Sequence, residues 1–271
     1  MVEVIAEIGI NHNGDLDLCK KMILAAKEAG ATSVKFQKRD PDVCVPEHQK
    51  NVSRETPWGT MTYLEYKHRI EFSKTEYDEI DRYCKEIDIK WFLSIWDINS
   101  LHFALLYGNR LVKIPSALAT DTDLVKRAGS NFDKVIVSAG MCNFKEVVDL
   151  VKIFEYTKNL ILFYTVSAYP APLDQLNLDT IDLYKHFNCP LGYSSHDVGV
   201  YPAAATVLKG VKYIEKHFTT DKTLYGTDQS ASMEPSELEE LVNQVRLLEQ
   251  SLGIRYDVLP CEEENRKKLR P

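Results

Sequence analysis

Val2-Glu-Val-Ile-Ala-Glu-Ile8 runs into the polar turn Gly9-Ile-Asn-His-Asn-Gly14 and then into helix-like sequence from Leu16. An apolar, β-branched run that feeds a helix through a short turn reads as a βα unit. In an open doubly wound sheet this first turn would carry the G-x-G-x-x-G spacing that lets backbone approach a dinucleotide pyrophosphate. Gly9 and Gly14 do not have that spacing. Working outward, seven further runs repeat the pattern: Ser33–Phe36, Lys90–Ile95, Arg110–Ile114, Lys134–Ser138, Leu160–Thr165, Leu191–Ser194 and Lys212–Glu215. Eight βα units in a chain of 271 residues predict a (β/α)₈ TIM barrel over residues 1–260.

The intervening stretches carry helix signals. Leu16, Cys19, Ile23 and Ala26 line one face after the turn Asn13-Gly14-Asp15. Leu238, Leu241, Val242, Val245, Leu248 and Leu252 do the same near the end of the chain. Ser73 with Glu76, Thr120 with Asp123, and Ser236 with Glu239 predict capped helix starts. Residues 39–72 break the rhythm. They are long, aromatic and mixed in charge, which is expected of a lid or an oligomer contact after the second strand. Residues 261–271 read as a charged, exposed tail.

Composition narrows the function classes. Lys and Arg number 33 against 40 Asp and Glu, a net charge of −7, so nucleic acid and anionic membrane are not expected as partners. No apolar run approaches the roughly 18 residues of a membrane span. The start of the chain lacks the basic and apolar regions of a signal peptide. The six cysteines are scattered without C-x-x-C, and reduced thiols in a cytoplasmic protein are the expected reading.

A barrel enzyme places its chemistry at the C-terminal ends of its strands. The predicted ends carry an unusual set of polar groups: Glu7, Lys35 and Gln37, Ser94, Lys113 and Ser116, Ser138, Thr165, Ser167 and Tyr169, Ser194, Ser195 and His196, and Glu215, Lys216 and His217. Polar groups embedded in apolar strands are costly without partners. A single strand lysine is commonly a snorkelling edge residue, but Lys35 and Lys113 both sit between apolar neighbours, which favours function. Strand-end serines are commonly caps; beside two lysines they are also the donors an anion needs. His196 and His217 end adjacent strands about 4.8 Å apart, so both imidazoles can reach one ion although neither has an i, i+4 partner. His12 is a third candidate, with a turn role favoured. His48, His68, His102 and His186 read as surface residues. Glu7 is a base, a carboxylate behind a metal ligand, or an ion-pair partner.

At these strand ends the sequence resembles the sialic acid (N-acetylneuraminate) synthase family, which condenses phosphoenolpyruvate with an N-acylated amino sugar. The resemblance rests on Glu7-Ile-Gly-Ile-Asn-His-Asn-Gly14, Val34-Lys-Phe-Gln37, Lys113-Ile-Pro-Ser116, Ser138-Ala-Gly-Met141, Ser167-Ala-Tyr-Pro170, Gly192-Tyr-Ser-Ser-His196, Ile214-Glu-Lys-His-Phe-Thr219 and Asp228-Gln-Ser-Ala-Ser232, in that order. It implies a (β/α)₈ barrel, a likeness that agrees with the strand count. It implies a divalent metal, Mn2+ or Mg2+, on His196 and His217. Lys35 and Lys113 would hold the carboxylate and phosphate of phosphoenolpyruvate, with Ser94, Ser116, Ser138 and Ser194. Gln37, Tyr169 and Asp228 would contact an N-acetylmannosamine-like acceptor, Ser167 stands where the family has an Asn, and Glu7 would sit beside the metal and the reacting carbons. A homodimer is implied as well.

Two further departures accompany the resemblance. The family pattern has an acid two positions past Ser116, where this chain has Leu118. Family members also continue into a small antifreeze-like domain, which is expected to be missing after Arg270-Pro271. Two rival readings remain at this level. One is a Schiff-base aldolase using Lys113, which borohydride trapping with a keto acid would reveal. The other is a non-catalytic barrel that binds sugar or phosphate.

Overall fold

The computed structural model describes residues 1–270. Ten strands form in chain order: β1 (Glu3–Gly9), β2 (Ser33–Lys38), β3 (Ser53–Thr56), β4 (Gly59–Thr62), β5 (Lys90–Ile95), β6 (Leu111–Ile114), β7 (Lys134–Ser138), β8 (Leu160–Thr165), β9 (Leu191–Ser195) and β10 (Tyr213–His217). Eight of them close a parallel barrel in the order β1-β10-β9-β8-β7-β6-β5-β2, and β3-β4 is a separate antiparallel hairpin. The eight-strand barrel expected from the sequence is therefore present. β1, β2, β9 and β10 each run one or two residues further than their apolar runs, because ladder hydrogen bonds continue through the polar strand ends. Lys216, for example, is in register with Ser195, and Gln37 with Ser94.

Alternation along the strands builds two layers inside the barrel. Ile5, Phe92, Ile136, Ile161, Phe163 and Tyr213 fill the lower interior. Two residues further along their strands stand Glu7, Ser94, Ser138, Thr165 and Glu215. The apolar plug thus supports a polar layer at the C-terminal mouth. Gly192 is required by that plug, since a Cβ there would lie 2.2 Å from the Phe163 ring. The opposite faces of the strands pack on the helices around a larger core. Leu238, Leu241, Val242 and Val245 of the helix Pro235–Ser251 are buried in it, as their spacing predicted; each contributes about 1.5–3 kcal/mol.

Helix starts depart from expectation at two of three places. Ser73 and Glu76 form the expected capping box. The later helix Thr122–Asn131 is capped instead by Asp121, whose side chain accepts from the Leu124 N–H. The last long helix starts at Pro235, after Glu234, with a box closed by Glu237. In both cases a carboxylate one or two residues away competes successfully with the predicted hydroxyl, helped at the second by a proline preset for the first helical turn.

Residues 39–72 fold rather than loop. They form helical turns Pro41–Cys44 and Glu47–Lys50, the hairpin β3-β4, and the helix Tyr63–Ile70 with its own Thr62/Glu65 capping box. Tyr66 and Ile70 pack on Ile10 beyond the end of β1, with Met61, Tyr63 and Tyr225 around them. The Arg54 Nε donates to the Tyr225 hydroxyl at 2.7 Å. The insert is therefore fastened to the turns beyond β1 and β10, at the barrel mouth. The tail carries an exposed helix, Glu263–Leu269. Among the described residues no helix is long and apolar enough to cross a membrane.

Candidate active site

A cavity of about 260 Å³ opens at the C-terminal mouth. Glu7, Lys35, Gln37, Ser94 and Lys113 line one side of it. Ser116, Ser138, Ser167, Tyr169, Ser194, His196 and His217 line the rest, together with Glu215 and Trp96. Every predicted site residue except Asp228 therefore faces this one space. Asp228 lies in an adjoining cavity of about 310 Å³ beneath the insert, and its Oδ2 is 3.8 Å from Nδ1 of His217. A larger cavity, about 750 Å³, lies at the opposite end of the barrel. It holds none of the strand-end groups, so chemistry rather than size locates the site.

The two lysines are buried, and neither is free. Lys35 Nζ is 2.6 Å from Glu7 Oε2, and Lys113 Nζ is 2.5 Å from Glu215 Oε1. Lys35 also lies 3.8 Å from Glu215 Oε1, so four alternating charges sit side by side. The register creates this arrangement: Glu7 pairs with Lys35 across β1-β2 and with His217 across β1-β10. Burial pushes the Lys113 pKa down, partly offset by Glu215. Burial favours the neutral form of Glu215, but Lys113 and Lys35 overcome it and hold the carboxyl below its ordinary range. Sequence reasoning placed Glu215 at a strand end without giving it a role. Its alternation with His217 was the signal available, and the partner requirement of a buried ammonium supplies the reason.

Hydroxyls surround this charge cluster. Ser194 Oγ donates to Glu215 Oε1 at 3.1 Å, whereas the buried Ser138 Oγ has no hydrogen-bond partner. Ser116 Oγ accepts from the Gly140 N–H at 3.1 Å. A side chain at Gly140 would fill the space where Ser116 and Ser167 approach, since its Cβ would meet their Oγ atoms at 2.7 and 2.3 Å. Leu118 leans on the barrel core and does not line the cavity; Ala117 does. Lys216, next to Glu215, faces away from the barrel interior and donates to Ser195 Oγ and to the carbonyls of Asp197 and Gly199. His12 stacks on Phe72 at 3.9 Å and its Nδ1 accepts from the Gly14 N–H, so it holds the first turn rather than the cavity.

The imidazoles of His196 and His217 stand 5.7 Å apart, centroid to centroid. Nδ1 of His196 lies 2.8 Å from the Val166 carbonyl, which fixes the proton on that nitrogen and leaves Nε2 as a free donor of electrons. Burial, with His217 adding to it, pushes the His196 pKa down to about 3, so the ring is neutral near pH 7. Nδ1 of His217 is buried without a hydrogen-bond partner. Tyr169, which precedes a cis proline, places its ring 4.1 Å from that of His196. Among the described residues no third His, Cys, Asp or Glu joins the two histidines in ligating geometry. Two imidazoles facing one cavity fit a divalent ion whose other positions stay open to substrate or water.

Fold and site together define a barrel enzyme whose strand-end pocket gathers two lysine–carboxylate pairs, a ring of hydroxyls and two imidazoles. Comparison with known proteins makes this specific. Residues 22–256 match the NeuB family, and the chain belongs to that family. It is 36% identical to human N-acetylneuraminate-9-phosphate synthase over 274 residues, covering 98% of this chain and 76% of that protein. It is likewise 36% identical to the N,N'-diacetyllegionaminic acid synthase of Legionella pneumophila over 263 residues, covering 92% and 73%. The crystal structure of N-acetylneuraminic acid synthetase from Leptospira borgpetersenii superposes with a TM-score of 0.88 at 31% identity, covering 99% of this chain and 92% of that one.

Proposed function

We propose that the chain is a metal-dependent synthase that joins phosphoenolpyruvate to an N-acylated amino sugar, releasing phosphate and a sialic-acid-like nonulosonic acid. The observation that supports this reading is the convergence of Lys35, Lys113, His196 and His217 on one cavity in a member of the NeuB family.

Phosphoenolpyruvate carries a carboxylate and a phosphate, and Lys35 and Lys113 are the buried cations that face them. Ser94, Ser116, Ser138 and Ser194 add hydroxyl donors, which shorten and strengthen on charged acceptors. The reaction forms a bond from C3 of phosphoenolpyruvate to the aldehyde carbon of the open-chain sugar. The aldehyde oxygen takes a proton, water adds at C2, and the C2–O bond to phosphate breaks. His196 and His217 would hold a divalent ion, Mn2+ or Mg2+, which supplies Lewis-acid stabilisation of the aldehyde oxygen when bound. Gln37, Tyr169 and Asp228 would orient the sugar, with Ser167 beside them. Glu7 reaches the reacting region with one carboxylate oxygen on Lys35 and the other accepting from Gln37 Nε2 at 3.2 Å. It is the candidate for moving the proton at the aldehyde oxygen. The barrel's main contribution is to hold two substrates in line in a site where charges interact more strongly than in water. The N-acyl pattern of the acceptor is read by loop contacts around this cluster.

The test is phosphate release from phosphoenolpyruvate with manganese and a panel of N-acylated hexosamines. Release only when metal and a suitable sugar are both present supports the reading. Release without sugar, or none with any sugar, sinks it.

A further inference from the structure

Among the buried strand-end lysines, Lys216 is the one that the proposed chemistry leaves unused. It stands between Glu215 and His217 on β10 and is 3% exposed. Strand alternation turns both neighbours into the barrel and Lys216 out of it. Its Nζ donates to Ser195 Oγ at 3.0 Å, to the Asp197 carbonyl at 2.7 Å and to the Gly199 carbonyl at 2.8 Å. An ammonium has three N–H donors, so all are used. Among the described residues the only carboxylate within 4 Å is that of Asp197, with Oδ2 at 3.8 Å.

These oxygens all belong to the chain leaving β9, which carries His196. Ser195 precedes that histidine and Asp197 follows it, and both are buried. Ser195 Oγ donates in turn to Asp197 Oδ1 at 2.6 Å, and the Tyr193 hydroxyl donates to the same oxygen at 3.0 Å. Gly199, at a φ of 85°, lets the chain turn back so that its carbonyl reaches Nζ. The Ala171 N–H holds the His196 carbonyl from the other side at 3.0 Å. Both neighbours of the imidazole are thus tied to one cation. Other outward-facing strand positions, such as Ile8, Phe36, Ile114 and Val137, are apolar. Stability alone does not call for a buried charge at this one, because a well-packed apolar residue serves as well.

Resting on the metal site of the synthase reading above, we propose that Lys216 is a positioning residue: from outside the barrel it clamps residues 195–199 and so aims Nε2 of His196 at the ion that His217 would share. One dipeptide serves both imidazoles. His217 supplies the first directly, and Lys216 holds the second through the residues on either side of it. Lys216 itself touches neither the cavity nor the ion.

The test measures Mn2+ binding by electron paramagnetic resonance, the imidazole 15N–1H spectrum after chelation, and kcat against Mn2+ concentration. The variants are Lys216→Met, Ser195→Ala and, as a stability control remote from the loop, Val125→Ala in the helix Thr122–Asn131. Lys216→Met should raise the Mn2+ Kd by about 10–100-fold, the effect of losing a group that orients a metal ligand. It should also free the His196 ring from the single tautomer that the Val166 carbonyl imposes. Saturating Mn2+ should restore most of kcat. Ser195→Ala, which removes one of the three oxygens, should raise Kd several-fold, and Val125→Ala should lower Tm with neither change. An unchanged Kd in Lys216→Met, or an equal rise in Val125→Ala, overturns the proposal; if Lys216→Met does not fold, an unchanged Kd in Ser195→Ala does so. A kcat that stays low at saturating Mn2+ overturns the positioning role as well. If the wild type binds no Mn2+, the metal reading falls and the ring spectrum decides the clamp. A His196 signal altered in Lys216→Met but not in Val125→Ala then upholds it, and an unaltered one removes it.

Discussion

Replacing Glu215 by Gln removes one of four alternating charges from the polar layer of the barrel while keeping its shape. In the wild type one oxygen, Glu215 Oε1, lies 2.5 Å from Lys113, 3.8 Å from Lys35 and 3.1 Å from Ser194 Oγ. Taking away one partner of a buried pair costs about 3–5 kcal/mol, because the other charge stays buried. The Gln carbonyl still accepts from Lys113, which puts the expected loss near the lower end, about 3 kcal/mol. For a chain of this size that is a fall in Tm of roughly 6–12 °C. The variant then carries an uncompensated cation that a small anion can neutralise. Inorganic phosphate at a hundred times its Kd contributes about 2.7 kcal/mol. Thermal melts with a chelator present, with and without phosphate, measure both effects. The E215Q melt should lie well below the wild type's, and phosphate should close most of the gap. An unchanged Tm, or an equal phosphate shift in both proteins, would refute the idea that the two carboxylates stand in for a bound anion.

Other perturbations test separate parts of the account. His196→Ala and His217→Ala should each lower kcat by about 10³-fold or more, the equivalent of several kcal/mol of lost charge stabilisation, with a raised manganese requirement and little change in Tm. Gly192→Ala should destabilise by about 1–3 kcal/mol or more in urea titration, since its Cβ would overlap the Phe163 ring, above which Lys113 Nζ stands at 5.3 Å. Lys67 gives a pH signature. Burial pushes its pKa down to about 8 from an ordinary 10.5, with Arg39 adding to the effect. Between those values the unfolded chain binds more protons, so its contribution makes stability rise from pH 8 to pH 10.5 by up to roughly 3 kcal/mol. Comparing Tm against pH for the wild type and Lys67→Met isolates this rise; identical profiles would count against an unpaired buried ammonium.

How the insert and the imidazoles emerge shows where sequence reasoning stops. The histidines were legible because they end neighbouring runs, so their proximity needed only the strand order. The tautomer of His196 was not legible, because it depends on the carbonyl of Val166, 30 positions away. Lys67 carried no signal at all. Tyr63, Tyr66 and Ile70 recur around it at helical spacing, but its isolation from carboxylates exists only once the helix Tyr63–Ile70 is laid over Ile10.

Local pattern was enough to set the eight-strand barrel and the mouth at which twelve of the thirteen candidate residues meet. Period-two alternation and βα repetition belong to short stretches of chain, and a closed barrel converts them directly into inside and outside. The pairing of Lys35 with Glu7 and of Lys113 with Glu215 arises only on folding, as does the turning of Lys216 away from them. So does the gathering of Asp228, Arg39 and Lys67 around a second cavity. Charge compensation is a contact between side chains distant in sequence, and only the register and the folded insert bring those charges within reach of one another.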